Sequence, residues 1–184
     1  MTGTADSPSS APADAELVRA FRGGDERAAA TLMHRHATAV LRFLNGAGAP
    51  DGDLDDLVQE TFIRAFRALD GWRGEAAFRS WLMSIASNLL KDQYRRQKGR
   101  TMVGLEDTDL PAQDDPAATL DANEAERRLQ DGLGKLPRLQ REVFLLRAQQ
   151  GMEYEEIARV LETTAGSARV HYHHAVKRLK ELVA

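Results

Sequence analysis

The segment LDDLVQETFIRAFRAL (residues 54–69) decides the fold class of this chain. Its apolar side chains recur at spacings of three and four, which places Leu57, Phe62 and Ala65 on one side. That spacing predicts an amphipathic α-helix that buries one face. A second segment, from residue 76 to about residue 98, repeats the same pattern. Two such helices close together in the sequence predict a helical bundle.

The rest of the chain also has helical periodicity, and signals for strands are nearly absent. We therefore predict an all-α protein with two small helical domains, residues 14–98 and 123–184. Residues 99–122 hold two prolines, two glycines and six Asp or Glu, which is typical of a flexible acidic linker. Residues 1–13, rich in Ser, Pro, Ala and Thr, predict a disordered tail.

Local signals predict where individual helices begin and which residues they bury. Asp25, Asp53 and Thr164 precede helical segments and are expected to act as N-caps. In the helix that follows Asp25, the apolar positions expected to face the core include Leu32, Met33, Val40, Leu41 and Leu44.

Composition excludes several classes of protein. The 184 residues include no Cys, so disulfides and zinc–thiolate sites are excluded, and a reducing compartment is favoured. No apolar run approaches the ~18–20 residues that span a bilayer. The amino terminus lacks a basic region followed by an apolar one, so we expect no signal peptide. These features favour a cytoplasmic protein that is not inserted directly into a membrane.

The net charge of −3, from 25 Lys or Arg against 28 Asp or Glu, hides an uneven distribution. Residues 1–60 carry −5 and residues 61–100 carry +6, whereas residues 101–131 carry −7 and residues 132–184 carry +3. Blocks separated by more than a Debye length of ~8 Å act independently. The sequence therefore retains two segments that suit contact with a polyanion.

Signatures of catalysis are absent from the sequence. No nucleophile elbow, glycine-rich phosphate loop or His-Glu-x-x-His motif occurs. His171 and His174 have a spacing that suits a shared metal, but no acidic or thiol partner stands near them. We predict neither a cofactor nor a metal site, and we do not expect an enzyme.

The segment from Glu153 to Val183 has the spacing of a helix-turn-helix, whose second helix enters the major groove of DNA. An ordinary helical hairpin with a basic, solvated face is the alternative. The side chains expected to point away from the core and toward DNA are Ser167, Arg169, Val170, His171, His173, His174 and Lys177.

The fourth helix ends in a second cationic cluster, which includes Lys91, Tyr94, Arg95 and Arg96. Together with the aromatic side chain of Trp72, these groups suit unstacked bases of a single strand. A charged helix C-terminus that interacts with the helix dipole is the alternative. The third helix has an exposed polar face, for which plain solvation is likewise an alternative.

Several motifs resemble those of the extracytoplasmic-function (ECF) group of bacterial sigma factors. DLVQETF (56–62) resembles the helix that binds core RNA polymerase. FRSWL (78–82) with IASN (85–88) resembles the promoter-melting helix that recognises the −10 element. YEEIA (154–158) with GSAR (166–169) is similar to the helix-turn-helix that recognises the −35 element. All occur in the family's order, and the resemblance covers most of the chain.

The resemblance implies a role for each group of residues. Contacts with core polymerase are expected at Asp56, Gln59 and Glu60, on the clamp coiled coil of the largest subunit, with a further contact on the flap. The residues expected to contact the −10 element, by forming a pocket for a flipped base or by following the backbone, are Trp72, Arg73, Ile85, Asn88, Asp92, Arg95, Arg96 and Lys98. Capturing a flipped base stabilises open DNA, because stacking and base-edge contacts offset the cost of unstacking. The acidic linker is expected to run toward the RNA exit channel.

The resemblance implies a transcription initiation factor whose partners are core RNA polymerase, promoter DNA and an anti-sigma factor, which is often membrane-bound in this family. A stand-alone helix-turn-helix regulator is the main alternative, and a helical scaffold or hydrolase is a third. One departure concerns the −35 helix, where Val170 and the histidines at 171, 173 and 174 replace more usual side chains. Because histidines gain charge toward pH 6, we predict stronger −35 binding there; a flat profile between pH 6 and 8 would contradict this.

Overall fold

The computed structural model describes residues 13–101 and 124–183, with side chains for 13–96 and 127–182. These residues form eight α-helices and two short 3-10 turns, Asp51–Asp53 and Leu69–Gly71, and contain no strand. The helices are α1 (Asp14–Arg22), α2 (Glu26–Gly46), α3 (Leu54–Arg67), α4 (Phe78–Thr101), α5 (Glu124–Gly134), α6 (Arg138–Ala148), α7 (Tyr154–Val160) and α8 (Ala165–Val183). The all-α prediction is confirmed. None of the helices in these ranges combines the length and apolar character of a bilayer span.

Helix boundaries follow the predicted caps at two of three positions. The Asp25 carboxylate accepts a hydrogen bond from the Arg27 amide at 3.0 Å, and the Thr164 hydroxyl accepts one from the Ser167 amide at 3.0 Å. Asp53 does not cap α3, because its carboxylate instead accepts a hydrogen bond from the Gln93 side chain. Helix α4 continues to Thr101, past the predicted end near residue 98, and most of the predicted linker lies outside the described residues.

Helices α1 to α4 pack around a core of leucines and aromatic side chains, including Phe43, Phe62 and Phe78. Met33 and Leu41, which were predicted to face this core, are instead exposed. His36 takes a buried position on α2, where its Nε2 donates to the Asp14 carboxylate at 2.8 Å. His36 can therefore occupy part of the face that the pattern assigns to apolar residues, because Asp14 of α1 accepts the hydrogen bond of its buried ring nitrogen.

Helices α5 to α8 form the carboxy-terminal half. In the helix-turn-helix, Ile157 of α7 is buried, as are Ala168 and Ala175 of α8. The Phe144 ring of α6 stacks on Tyr172 at 6.0 Å between centroids, with the rings 14° apart. This packing fixes α8 against α6 and leaves one side of α8 open.

The two halves pack directly against each other, an arrangement that the prediction of separate domains did not include. The Ser87 hydroxyl of α4 donates to the buried Glu142 carboxylate of α6 at 2.8 Å, and Ser80 donates to Glu156 of α7 at 3.0 Å. The buried Arg141 donates to the Ala47 carbonyl at 3.0 Å. The contact between the halves is thus rich in hydrogen bonds, several of which involve charged groups.

Candidate nucleic-acid interface

Helix α3 presents an exposed surface to one side of the amino-terminal half. Asp56 and Gln59 are exposed, and Glu60 is half-buried because its carboxylate pairs with Arg64 at 2.8 Å. Ile63, one turn further along, is 38% exposed. We call Asp56, Gln59, Glu60 and Ile63 the α3 surface. Ile63 was not among the residues predicted for this surface. Its position outside the buried stripe of α3 is nevertheless a sequence signal that it is exposed.

A groove of about 320 Å³ lies between α3 and α4, next to the α3 surface. Asp56, Glu60 and Arg64 line one side of it, and Asp92 and Arg96 line the other. Arg64 approaches the Asp92 carboxylate at 3.8 Å. The fold therefore brings two residues predicted to contact protein close to two residues predicted to contact DNA.

The loop after α3 forms a second cavity of about 390 Å³, which we call the loop pocket. It is lined by Gly71, Trp72, Arg73, Glu75, Ala76 and Trp81. Trp72 is 92% buried: its indole N–H donates to the Ala76 carbonyl at 3.1 Å. The half-buried Trp81 of α4 is the second aromatic side chain of this pocket. Trp72 and Arg73, both predicted to contact the −10 element, line this pocket, and so does Trp81 of α4, which the prediction did not include.

Two other residues predicted for the same pocket lie elsewhere. Ile85 is half-buried and Asn88 is exposed on α4, and neither lines the loop pocket. The structure thus separates them from Trp72 and Arg73, which they were expected to join. Ile85 and Asn88 lie about one and two turns beyond Trp81 on α4, and each turn of an α-helix adds 5.4 Å.

The far end of α4 carries the predicted cationic cluster. Arg95 and Arg96 are exposed, whereas the side chain of Lys98 lies outside the described residues. Tyr94 turns away from this cluster: its hydroxyl donates to the Gly48 carbonyl at 2.6 Å, and burial raises the pKa of its phenol. Tyr94 therefore ties α4 to the loop after α2, within the amino-terminal half, and its hydroxyl is not part of the cationic cluster.

Helix α8 exposes most of the side chains predicted for it. Those that are exposed are Arg169, Val170, His173, His174 and Lys177. Ser167 and His171 are half-buried, and the Nδ1 atom of His171 is buried without a hydrogen bond. Val170 is 52% exposed, so an apolar side chain stands on the open side of the helix.

Tyr154, the first residue of α7, contacts the side chain of Arg169 on α8. The guanidinium carbon of Arg169 lies 5.1 Å from the centroid of the tyrosine ring. Arg147 approaches the same ring at 5.0 Å and also donates to the Met152 carbonyl at 2.7 Å. Cation–π contacts of this kind restrict where an exposed arginine points.

Comparisons with known proteins agree with this division of the chain. A model of Sigma-70 region 2 matches residues 32–100, and a model of Sigma-70 region 4 matches residues 126–179. The chain is 36% identical to the RNA polymerase sigma factor CnrH of Cupriavidus metallidurans, over 82% of this chain and 84% of that protein. It is 32% identical to the ECF RNA polymerase sigma-E factor of Escherichia coli, over 85% of this chain and 86% of that protein.

The fold is also similar to that of a solved sigma factor. The structure of CnrH in complex with the cytosolic domain of CnrY matches with a TM-score of 0.71 and 31% identity, covering 94% of this chain and 97% of that chain. The chain therefore belongs to the ECF group of the sigma-70 family, the transcription initiation factors that direct RNA polymerase to promoters and are not themselves enzymes.

Proposed function

We propose that the α3 surface binds the clamp coiled coil of the largest subunit of RNA polymerase. Gln59 and Glu60 lie one turn before the exposed Ile63, so this surface places polar side chains beside an apolar one, a combination that suits a protein interface. The observation that carries the proposal is the position of this surface beside the groove shared with α4. Polymerase bound there would lie next to the DNA that α4 contacts.

The loop pocket and the exposed arginines of α4 are proposed to hold the melted −10 element. Trp81 and the apolar part of Trp72 provide aromatic surface for one unstacked base, and Arg73 lies beside them. Arg95 and Arg96 follow on the same helix and suit the phosphates of the non-template strand. Asn88 and Ile85, which lie between these two sites along α4, are proposed to contact the nucleotides next to the captured base.

Helix α8 is proposed to read the −35 element in the major groove. Arg169 stands near the amino-terminal end of the helix, where helix-turn-helix proteins contact base edges. The exposed histidines and Lys177 lie further along and suit the phosphate backbone. The carboxy-terminal half is also proposed to contact the flap of the polymerase.

We further propose that an anti-sigma factor binds this chain. The resemblance to CnrH, whose solved structure includes the cytosolic domain of CnrY, supports this partner. Capture of the full chain from its source cells, followed by competition with core polymerase, tests the idea. A captured protein that leaves polymerase binding and transcription unchanged would contradict it.

Transcription in vitro with core polymerase, with and without the full chain, tests the initiation mechanism. We expect promoter-dependent transcripts only when both are present. The double variant Gln59→Ala/Glu60→Ala tests the α3 surface and should weaken binding to core polymerase. Thr38→Ala/Arg42→Ala, which removes two exposed polar side chains from α2, is the matched control. Equal core affinity for the two double variants would refute the role of the α3 surface, and tight duplex binding without polymerase would favour a stand-alone regulator.

A further inference from the structure

Arg22, the last residue of α1, reaches across to the loop that forms the loop pocket. Its Nη2 donates to the Leu69 carbonyl at 2.5 Å and to the Trp72 carbonyl at 2.7 Å. These two carbonyls lie on either side of Asp70 and Gly71, so one guanidinium holds both ends of the turn that begins the loop. Sequence patterns do not predict this contact, because it joins residues 47 and 50 positions apart.

Helix α1 is itself firmly docked, which fixes the position from which Arg22 acts. Leu17 and Val18 are buried, and the Phe21 ring lies 5.3 Å from the Phe66 ring of α3. The helix ends directly after Arg22, where the Gly23 amide donates to the Arg19 carbonyl at 3.0 Å. The guanidinium is therefore presented to the loop by a rigid element.

The loop pocket depends on the placement of Trp72. The indole is held at its edge by the Ala76 carbonyl and packs edge-on against Phe78, with the rings 84° apart and 5.9 Å between centroids. The Trp72 backbone is held by Arg22. In contrast, Arg73, Gly74 and Glu75 at the mouth of the pocket are exposed. The position of Trp72 in the wall of the pocket is thus fixed both at its side chain and at its carbonyl.

We propose that Arg22 is a positioning residue for capture of the −10 base. By fixing the Trp72 carbonyl, it keeps the loop in the shape that receives a flipped base, so less ordering is required when DNA binds. This inference rests on the proposed function of the loop pocket. It gives a role in promoter opening to a helix that lies before the residues matched by the region 2 model, which begin at residue 32.

The neighbouring ion pair does not account for the role of Arg22. Asp70 approaches Arg22 at 3.9 Å, but its side chain is 98% exposed. Exposed pairs at such a distance contribute little. The two carbonyl hydrogen bonds, in which the donor is charged, are the stronger restraint on the loop.

The experiment uses the full chain with core polymerase and a promoter template that it transcribes. The template is a pre-melted bubble, in which each non-template position of the −10 element is replaced in turn by an abasic site. The wild-type chain should lose affinity at the captured position. Arg22→Gln should bind the intact bubble about tenfold more weakly than wild type, which corresponds to ~1.4 kcal/mol. Replacing the captured base by an abasic site should then lower the affinity of this variant little further. Binding to a −35 duplex should not change.

Two further variants separate positioning from a general loss of structure. Arg22→Lys keeps a cationic donor and should restore part of the discrimination against the abasic site. Arg19→Gln is the matched control, because Arg19 lies on the same helix and contacts only the Ala15 carbonyl of its own turn, at 3.4 Å, among the hydrogen bonds described. It should behave as wild type.

The outcomes distinguish this inference from the function on which it rests. If wild type is insensitive to every abasic site, the loop pocket does not capture a base, and both proposals fail. If wild type is sensitive and Arg22→Gln is equally sensitive, the pocket stands and the role of Arg22 is refuted. An equal loss on the −35 duplex would show that Arg22 supports the fold as a whole, which also refutes it.

Discussion

The hydrogen bond between Ser87 and Glu142 gives a direct measure of how strongly the two halves hold each other. Ser87 is 4% exposed and Glu142 is 1% exposed, so removing the hydroxyl leaves a buried carboxylate oxygen without its donor. The other carboxylate oxygen keeps its bond from Arg138 at 2.9 Å. A hydrogen bond to a charged group contributes about 1.5–3 kcal/mol. Ser87→Ala should therefore weaken docking of the halves by roughly ten- to 150-fold.

Urea denaturation followed by tryptophan fluorescence measures this effect. Both tryptophans, Trp72 and Trp81, lie in the amino-terminal half, so their signal reports how much docking stabilises that half. Ser84→Ala is the control, because the Ser84 hydroxyl donates to the Trp81 carbonyl of its own helix at 2.6 Å. We expect Ser87→Ala to lower the free energy of unfolding by about 1.5–3 kcal/mol and Ser84→Ala by less than ~0.5 kcal/mol. Equal values for the two variants would refute the reasoning.

Three further predictions concern packing, pH and DNA binding. Gly46→Ala should cost about 1–3 kcal/mol in urea denaturation, because the new Cβ would lie 2.7 Å from a leucine methyl of α6; Gly52→Ala, with no atom within 4 Å, should be near neutral. Burial lowers the pKa of His36 below its value of 6.5 in the unfolded chain, so the folded state binds this proton less readily. Protonation of His36 therefore leaves the free energy of unfolding unchanged above about pH 6.5 and lowers it as the pH falls further. His36→Gln should flatten this decline in the free energy of unfolding, measured by denaturation between pH 7.5 and 5.5. Tyr154→Leu should weaken binding to a −35 duplex about two- to fivefold by freeing Arg169, whereas Tyr154→Phe keeps the ring and should bind as wild type; anisotropy titrations that find the two variants equal would contradict this.

Periodicity in the sequence was enough to predict that α3 and α4 are helices, although α4 also buries Ser80 and Ser87, which the apolar pattern does not include. It was not enough on α2. Met33 and Leu41 continue the apolar pattern but lie outside the core, while His36 lies inside it because Asp14 of another helix satisfies its ring nitrogen. Patterns within one helix do not contain the partner that makes a buried polar group acceptable.

The candidate sites likewise contain some parts that the sequence predicts and others that depend on tertiary structure. The exposed arginines of α4 and most of the open side of α8 follow from helical geometry, because residue spacing determines which side chains share a face. The loop pocket does not follow from spacing, since its walls come from a turn and from Trp81 on another element. The restraint supplied by Arg22 likewise depends on how α1 docks, which only tertiary structure determines.

The contacts between the halves also have a consequence for synthesis of the chain on the ribosome. Ser87 and Glu142 are 55 residues apart, and Gln150 donates to the Ala39 carbonyl across 111 residues. At ~5–20 residues per second, Ser87 is made about 3–11 s before its partner. During that interval the side of α4 that later contacts α6 is not yet covered by it. The hydroxyl groups of Ser80 and Ser87 on that side can hydrogen-bond to water instead. Docking of the two halves can therefore be completed only after α6 has emerged.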